Sequence, residues 1–137
     1  MRTSITSIGA NTIIPGHAVE EEVADTMEVP MVRLDAWIRD ARLSLIALIK
    51  IDTEGFEFPV LRGLQEFFET VEAPPPIIVE IHPEAYPLLG YTLSDLSAYM
   101  HRYRYQAYRL GAGRTRPADP SNVTGVAGLV SVPDAGR

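Results

Sequence analysis

LIKIDTEGFEFPVL, residues 48–61, decides how this chain is read. Leu48, Ile49 and Ile51 belong to an apolar run that begins at Leu45. The run is too short for an ordinary helix, so Leu45–Asp52 is predicted to be a strand. Both of its faces are apolar, as in a central parallel strand covered by helices on each side. It then ends in charge. Lys50, Asp52, Glu54 and Glu57 crowd together here, and Lys50 is the only lysine in the chain. Gly55 breaks the strand, and Pro59 stands where a first helical turn tolerates a missing N–H. Val60, Leu61, Leu64, Phe67, Phe68 and Val71 recur at helical spacing, which predicts one amphipathic helix.

The chain on either side completes the pattern. Pro74, Pro75 and Pro76 end that helix, and Ile77–Ile81 reads as a second buried strand. A loop through His82 leads to Thr92-x-x-Asp95, a capping-box start for a helix reaching Tyr103. Segments 105–110 and 125–132 read as strands joined without a helix, so they are expected to form an antiparallel hairpin at the sheet's edge. Upstream, Leu34, Trp37 and Ile38 share a helical face over 34–43, with Asp35 placed to cap it. Residues 1–26 are predicted to be irregular, with a short strand near 27–32. The alternation of strands and helices predicts a single α/β domain built on an open, mostly parallel sheet.

Composition narrows the function. At 137 residues the chain is one domain long, and 46% hydrophobic residues suffice for a core. A net charge of −6 argues against a nucleic-acid partner, because phosphate binding needs a basic face. The absence of cysteine removes disulfides, thiolate metal sites and cysteine nucleophiles, and it fits a cytoplasmic protein. No apolar run approaches the roughly 20 residues that cross a bilayer. The N-terminus lacks the continuous apolar stretch of a signal peptide.

In open parallel sheets, ligands bind beyond the carboxyl ends of the strands. One predicted strand here ends in Asp52 and Glu54, the other in Glu80 and His82. Side chains two apart share a face, which pairs Lys50 with Asp52 and Glu80 with His82. An unpaired buried ammonium costs several kcal/mol, so Lys50 must meet Asp52 or Glu80, or reach solvent. Two roles stay open. An ion pair could fix strand register, or the cluster could line a site. In the second case Lys50 or His82 handles a proton, and the acids hold ligand hydroxyls or a cation. Glu57 is expected at a helix start, where the dipole favours a carboxylate. Tyr99, Tyr103, Tyr105 and Tyr108 are expected to form a helix–strand packing seam. Asp52, Glu54, Glu80 and His82 would also suit magnesium or manganese. No dense ligand motif is present, so no metal ligand is assigned.

Taken together, Leu48-Ile-Lys-Ile-Asp-Thr-Glu-Gly-Phe-Glu57 and Val60-Leu-Arg-Gly63 resemble the signature of the FkbM-type S-adenosylmethionine-dependent methyltransferases. The upstream Val29-Pro-Met-Val-Arg-Leu-Asp35 and the downstream Pro76-Ile-Ile-Val-Glu80 resemble its flanking segments. The resemblance implies a Rossmann-like class I methyltransferase fold with a final antiparallel strand. It implies transfer of a methyl group to an oxygen of a small molecule, sugar or lipid-linked product. Lys50, Asp52 and His82 would then be catalytic. Asp52 would also orient the cofactor, and Glu54, Glu57 and Glu80 would hold the acceptor. Such enzymes bind the cofactor through a glycine-rich strand–turn–helix, which this chain lacks. The resemblance therefore implies the C-terminal half of the domain, binding S-adenosylmethionine once the other half is supplied. Its open strand edge is expected to self-associate or to pair with another chain. A metal-dependent hydrolase or lyase built on the same acids, and a non-catalytic pairing module, are the alternatives.

Overall fold

A computed structural model describes residues 2–5, 11–15, 25–110 and 115–134. The N-terminal region carries three strands: β1 (Arg2–Ile5), β2 (Asn11–Thr12) and β3 (Asp25–Glu28). They form an antiparallel sheet in the order β2-β1-β3. This differs from the irregular segment predicted over 1–26. The β-branched Thr3, Ile5, Thr12 and Thr26 favour extended backbone, although no apolar run announces it.

Helix α1 (Leu34–Asp40) follows. It ends three residues earlier than predicted, with Arg42 in the left-handed region at φ 54°. Ile38 is buried, but Trp37, expected on the same face, is exposed. The remaining elements are β4 (Ile49–Ile51), α2 (Glu57–Arg62), α3 (Gln65–Thr70), β5 (Ile77–Ile81), α4 (Leu93–Arg102), β6 (Tyr105–Arg109), β7 (Arg116–Pro117) and β8 (Ala127–Pro133). Among the described residues no helix is long and apolar enough to cross a membrane.

The second sheet has five strands in the order β4-β5-β8-β6-β7. Only β4 and β5 pair in parallel; the other three pairings are antiparallel. The expected mostly parallel sheet is thus corrected to a mostly antiparallel one. The last long strands do pair antiparallel, but not as an edge hairpin. The crossover from β5 through α4 sets β6 one strand away, and β8 runs back into the gap. There β8 is hydrogen-bonded on both sides, so its backbone groups are paired rather than left on an edge.

Burial corrects a second expectation. Ile49, Ile51, Ile77, Val79, Ile81 and Leu129 point into a core completed by Phe58, Leu61, Leu64, Leu96 and Met100. The opposite face carries the row Lys50, Ile78, Val130 and Tyr108, exposed or half-buried. Among the described residues β4 is an edge strand with one covered face, not a central strand covered on both. Leu45 and Leu48, from the same apolar run, are exposed.

The single helix predicted after Pro59 is two short ones, broken at Gly63-Leu64. The break is tied down from α1. The Gly63 carbonyl accepts from the Asp35 amide at 2.9 Å. The Asp35 carboxylate accepts from the Glu66 amide, near the start of α3, at 3.2 Å. Asp35 lies inside the first turn of α1 rather than at its N-cap. Its carboxylate serves both helices, accepting the Ala36 amide of α1 at 2.7 Å and the Glu66 amide of α3. Burial pushes its carboxyl pKa up. The hydrogen bonds from Arg33 and from the Glu66 and Ala36 amides outweigh this and hold it below its ordinary 3.8.

The tyrosine seam forms between α3, α4 and β6. Phe68 contacts Tyr99, Tyr103 and Tyr105, with ring centroids 5.1–6.5 Å apart. Tyr108 stays out of it and bonds Gln106. Thr92 and Asp95 make the predicted capping box at α4, each accepting the other's backbone N–H.

Candidate functional site at the carboxyl ends of β4 and β5

Asp52 leaves β4 on the open face of the sheet, and the chain then turns sharply. Glu54 lies at φ 50° and Gly55 at φ 100°. Glycine adopts this region freely, whereas a glutamate there is uncommon and needs support from its surroundings. Glu57 supplies it. Its Oε1 accepts the Gly55 N–H at 2.7 Å and the Thr53 hydroxyl at 3.3 Å. Glu57 does start α2, as expected, but it is fully buried and its Oε2 has no hydrogen-bond partner. Burial pushes this carboxyl above its ordinary pKa. The Gly55 amide and the nearby His82 act in the opposite direction.

β5 ends at Ile81 and delivers His82 to the same corner. The chain then tightens into two short 3₁₀ turns, Pro83–Ala85 and Pro87–Leu89. The Ala85 amide bonds the His82 carbonyl and fixes the imidazole's base. His82 is 8% exposed. Its Nε2 lies 3.5 Å from Glu54 Oε2 and its Nδ1 3.6 Å from Glu84 Oε1. Nε2 has no hydrogen bond. Asp52, Glu54 and His82 each present a ligand-type atom, and these atoms all lie within 4.8 Å of one another.

Lys50 meets both conditions set for it. Its Nζ donates to Asp52 Oδ2 at 2.7 Å, and the side chain reaches solvent. The hydrogen bond to Asp52 and that group's charge push the ammonium pKa up, with Glu80 adding to them. Glu80 is half-buried on the same face and stands outside the trio. The parallel pairing of β4 and β5 thus gathers Asp52, Glu54 and His82 with Lys50. It sets Glu80 to one side and Glu57 beneath the turn.

Two residues of the corner went unread in the sequence. Glu84 could have been found from its place two residues past His82. Tyr86 could not. It is 1% exposed, its ring stacks parallel to Phe58, and its hydroxyl has no partner. Burial, with the Glu57 charge adding to it, pushes that hydroxyl well above the ordinary tyrosine pKa.

A family model, the methyltransferase FkbM domain, matches residues 2–107, from β1 into β6. No curated protein and no solved structure matches the chain.

Proposed function

Because the chain belongs to the FkbM methyltransferase domain family, we propose that it serves methyl transfer from S-adenosylmethionine to an oxygen of a small-molecule acceptor. A sugar or lipid-linked hydroxyl is the acceptor class in view. The corner at the ends of β4 and β5 is the acceptor side. The observation that carries this is the convergence of Asp52, Glu54 and His82 beyond the carboxyl ends of the parallel pair, where open α/β sheets place their ligands.

When bound, S-adenosylmethionine would supply an activated methyl group, the S–C electron pair staying on sulfur. The acceptor oxygen forms the new C–O bond, and its proton must leave. A base for that proton has to lie within hydrogen-bond reach. Lys50 holds its own proton more firmly than an ordinary ammonium, so it supplies positive charge and orients Asp52. The acceptor proton therefore leaves through Asp52, Glu54 or His82. Glu57 positions the turn that carries Glu54. Glu80 borders the acceptor on the open face.

The strand order β4-β5-β8-β6, with β8 reversed between two strands of like direction, supports a class I methyltransferase arrangement. Among the described residues no strand is followed by a glycine-rich turn and a helix. On this proposal the cofactor's methionine and ribose rely on residues outside those described. The free edge of β4, flanked by exposed Leu45 and Leu48, is where another chain or a second copy would pair. Family membership favours neither a metal-dependent hydrolase nor a purely non-catalytic module.

The test uses S-adenosylmethionine with a labelled methyl group, the chain and a small-molecule extract. Label is expected in an alkali-stable ether product, with S-adenosylhomocysteine released in equal amount. A folded chain that releases none with that extract, both alone and with a partner chain supplying a glycine-rich strand–turn–helix, would overturn the proposal.

A further inference from the structure

We propose that Asp52, Glu54 and His82 form a binding site for one divalent first-row transition cation, of the zinc or manganese class. The first argument is geometric. His82 Nε2 and Glu54 Oε2 are 3.5 Å apart, too far for a good hydrogen bond. Two ligands on bonds of about 2.1 Å stand that far apart at an angle of about 110°, close to tetrahedral. A donor atom of Asp52 lies within 4.8 Å of both. Lys50 donates to Oδ2 of Asp52, and the carboxylate keeps further lone pairs for a ligand.

The second argument is the state of the imidazole nitrogen. The His82 side chain is only 11% exposed, and its Nε2, shielded from solvent, faces Glu54 at 3.5 Å without a hydrogen bond. Buried polar atoms in native proteins nearly always have a partner, so an imidazole nitrogen held this way points to a ligand. The third argument is charge. Asp52, Glu54, Glu57, Glu80 and Glu84 surround the corner, and Lys50 is the only lysine to offset them. An imidazole with two carboxylates selects the transition metals over magnesium or calcium, which prefer all-oxygen sets. Glu57 is then the positioning residue, because its bonds to Gly55 and Thr53 hold the turn that carries Glu54.

The site would leave at least one coordination position open. Its use in methyl transfer rests on the function proposed above; its existence does not. An acceptor hydroxyl in the open position would become more acidic, easing loss of the proton that transfer requires.

The experiment titrates Zn²⁺ alone, Mn²⁺ alone and Mg²⁺ alone into the full, chelator-treated chain by calorimetry. One Zn²⁺ or Mn²⁺ per chain is expected, with Mg²⁺ bound far more weakly. Asp52→Asn, Glu54→Gln and His82→Gln should each weaken Zn²⁺ binding more than the roughly tenfold expected for Glu57→Gln. Lys50→Met should strengthen it by removing the competing ammonium. If His82→Gln fails to fold, the two carboxylate variants, whose side chains are partly exposed, decide the matter. No saturable heat, or binding unchanged in the carboxylate variants, overturns the site. Methyl transfer that persists without metal binding would overturn this site and leave the methyltransferase standing. Metal binding without any methyl transfer would do the reverse.

Discussion

Two buried tyrosines set the two sides of this molecule against each other. Tyr105 and Tyr86 are each 1% exposed. In the aromatic seam the Tyr105 hydroxyl donates to the Pro75 carbonyl at 2.8 Å, and Tyr99 likewise reaches the Leu61 carbonyl at 3.0 Å. At the β4–β5 corner the Tyr86 hydroxyl bonds nothing, and Glu57 Oε2 and His82 Nε2 share that condition. Burial raises the pKa in all three tyrosines, but only Tyr86 also feels Glu57. Polar groups in the seam are spent on holding the fold together. Those at the corner are held in place with bonding capacity left over, which favours the proposal of a ligand there.

The largest stability effect is expected on the satisfied side. Asp35→Ala removes a buried carboxylate that serves Arg33, Ala36 and Glu66 at once. It should cost about 3 kcal/mol, read from urea unfolding. Its pH signature follows from a folded pKa below 3.8. The stabilisation is complete above that value and is lost as pH falls through the lower folded value. The native chain should therefore lose its advantage over the variant only in strong acid.

The tyrosines give the next effect and the sharpest contrast. Tyr105→Phe should destabilise by about 1–2 kcal/mol, because the Pro75 carbonyl loses its donor. Tyr86→Phe removes a hydroxyl without a partner and should be neutral or stabilising. Equal losses in thermal melts of the two variants would erase the distinction between the regions. Thr92→Ala, which dismantles the capping box of α4, should cost about 1 kcal/mol.

Glu57→Gln is smaller and is read by its sign. The folded carboxyl's pKa is raised, so its contribution is full below the ordinary 4.5 and is lost as pH rises through the folded value. Glutamine keeps the acceptor for Gly55 and carries no charge. The variant should match the native chain near pH 4 and gain on it as the medium becomes alkaline. A gain in acid instead would mean that the buried charge is stabilised by a partner.

Much of this was legible along the chain. The burst of charge after Ile51, the strand at 77–81 and the Thr92–Asp95 cap are local patterns, and each sits where the sequence placed it. What escaped depends on contacts between distant residues. The helix breaks at Gly63 because Asp35, about thirty residues earlier, grips both sides of the break. β8 lies inside the sheet because of where α4 sets β6, which no spacing records. At Leu45–Asp52, apolar residues on both faces read as central burial, yet the strand is an edge with Leu45 in the open. Glu57 was legible as a helix start, but not as the fully buried support of a left-handed turn.

The central claim is that the carboxyl ends of β4 and β5 are the working corner. It is tested most directly by the rate of S-adenosylmethionine-dependent methyl transfer in Asp52→Asn and Glu54→Gln beside Tyr105→Phe. The corner variants should melt like the native chain and lose transfer by about 100-fold, while Tyr105→Phe loses stability and keeps its rate. Undiminished transfer in both corner variants would contradict the account.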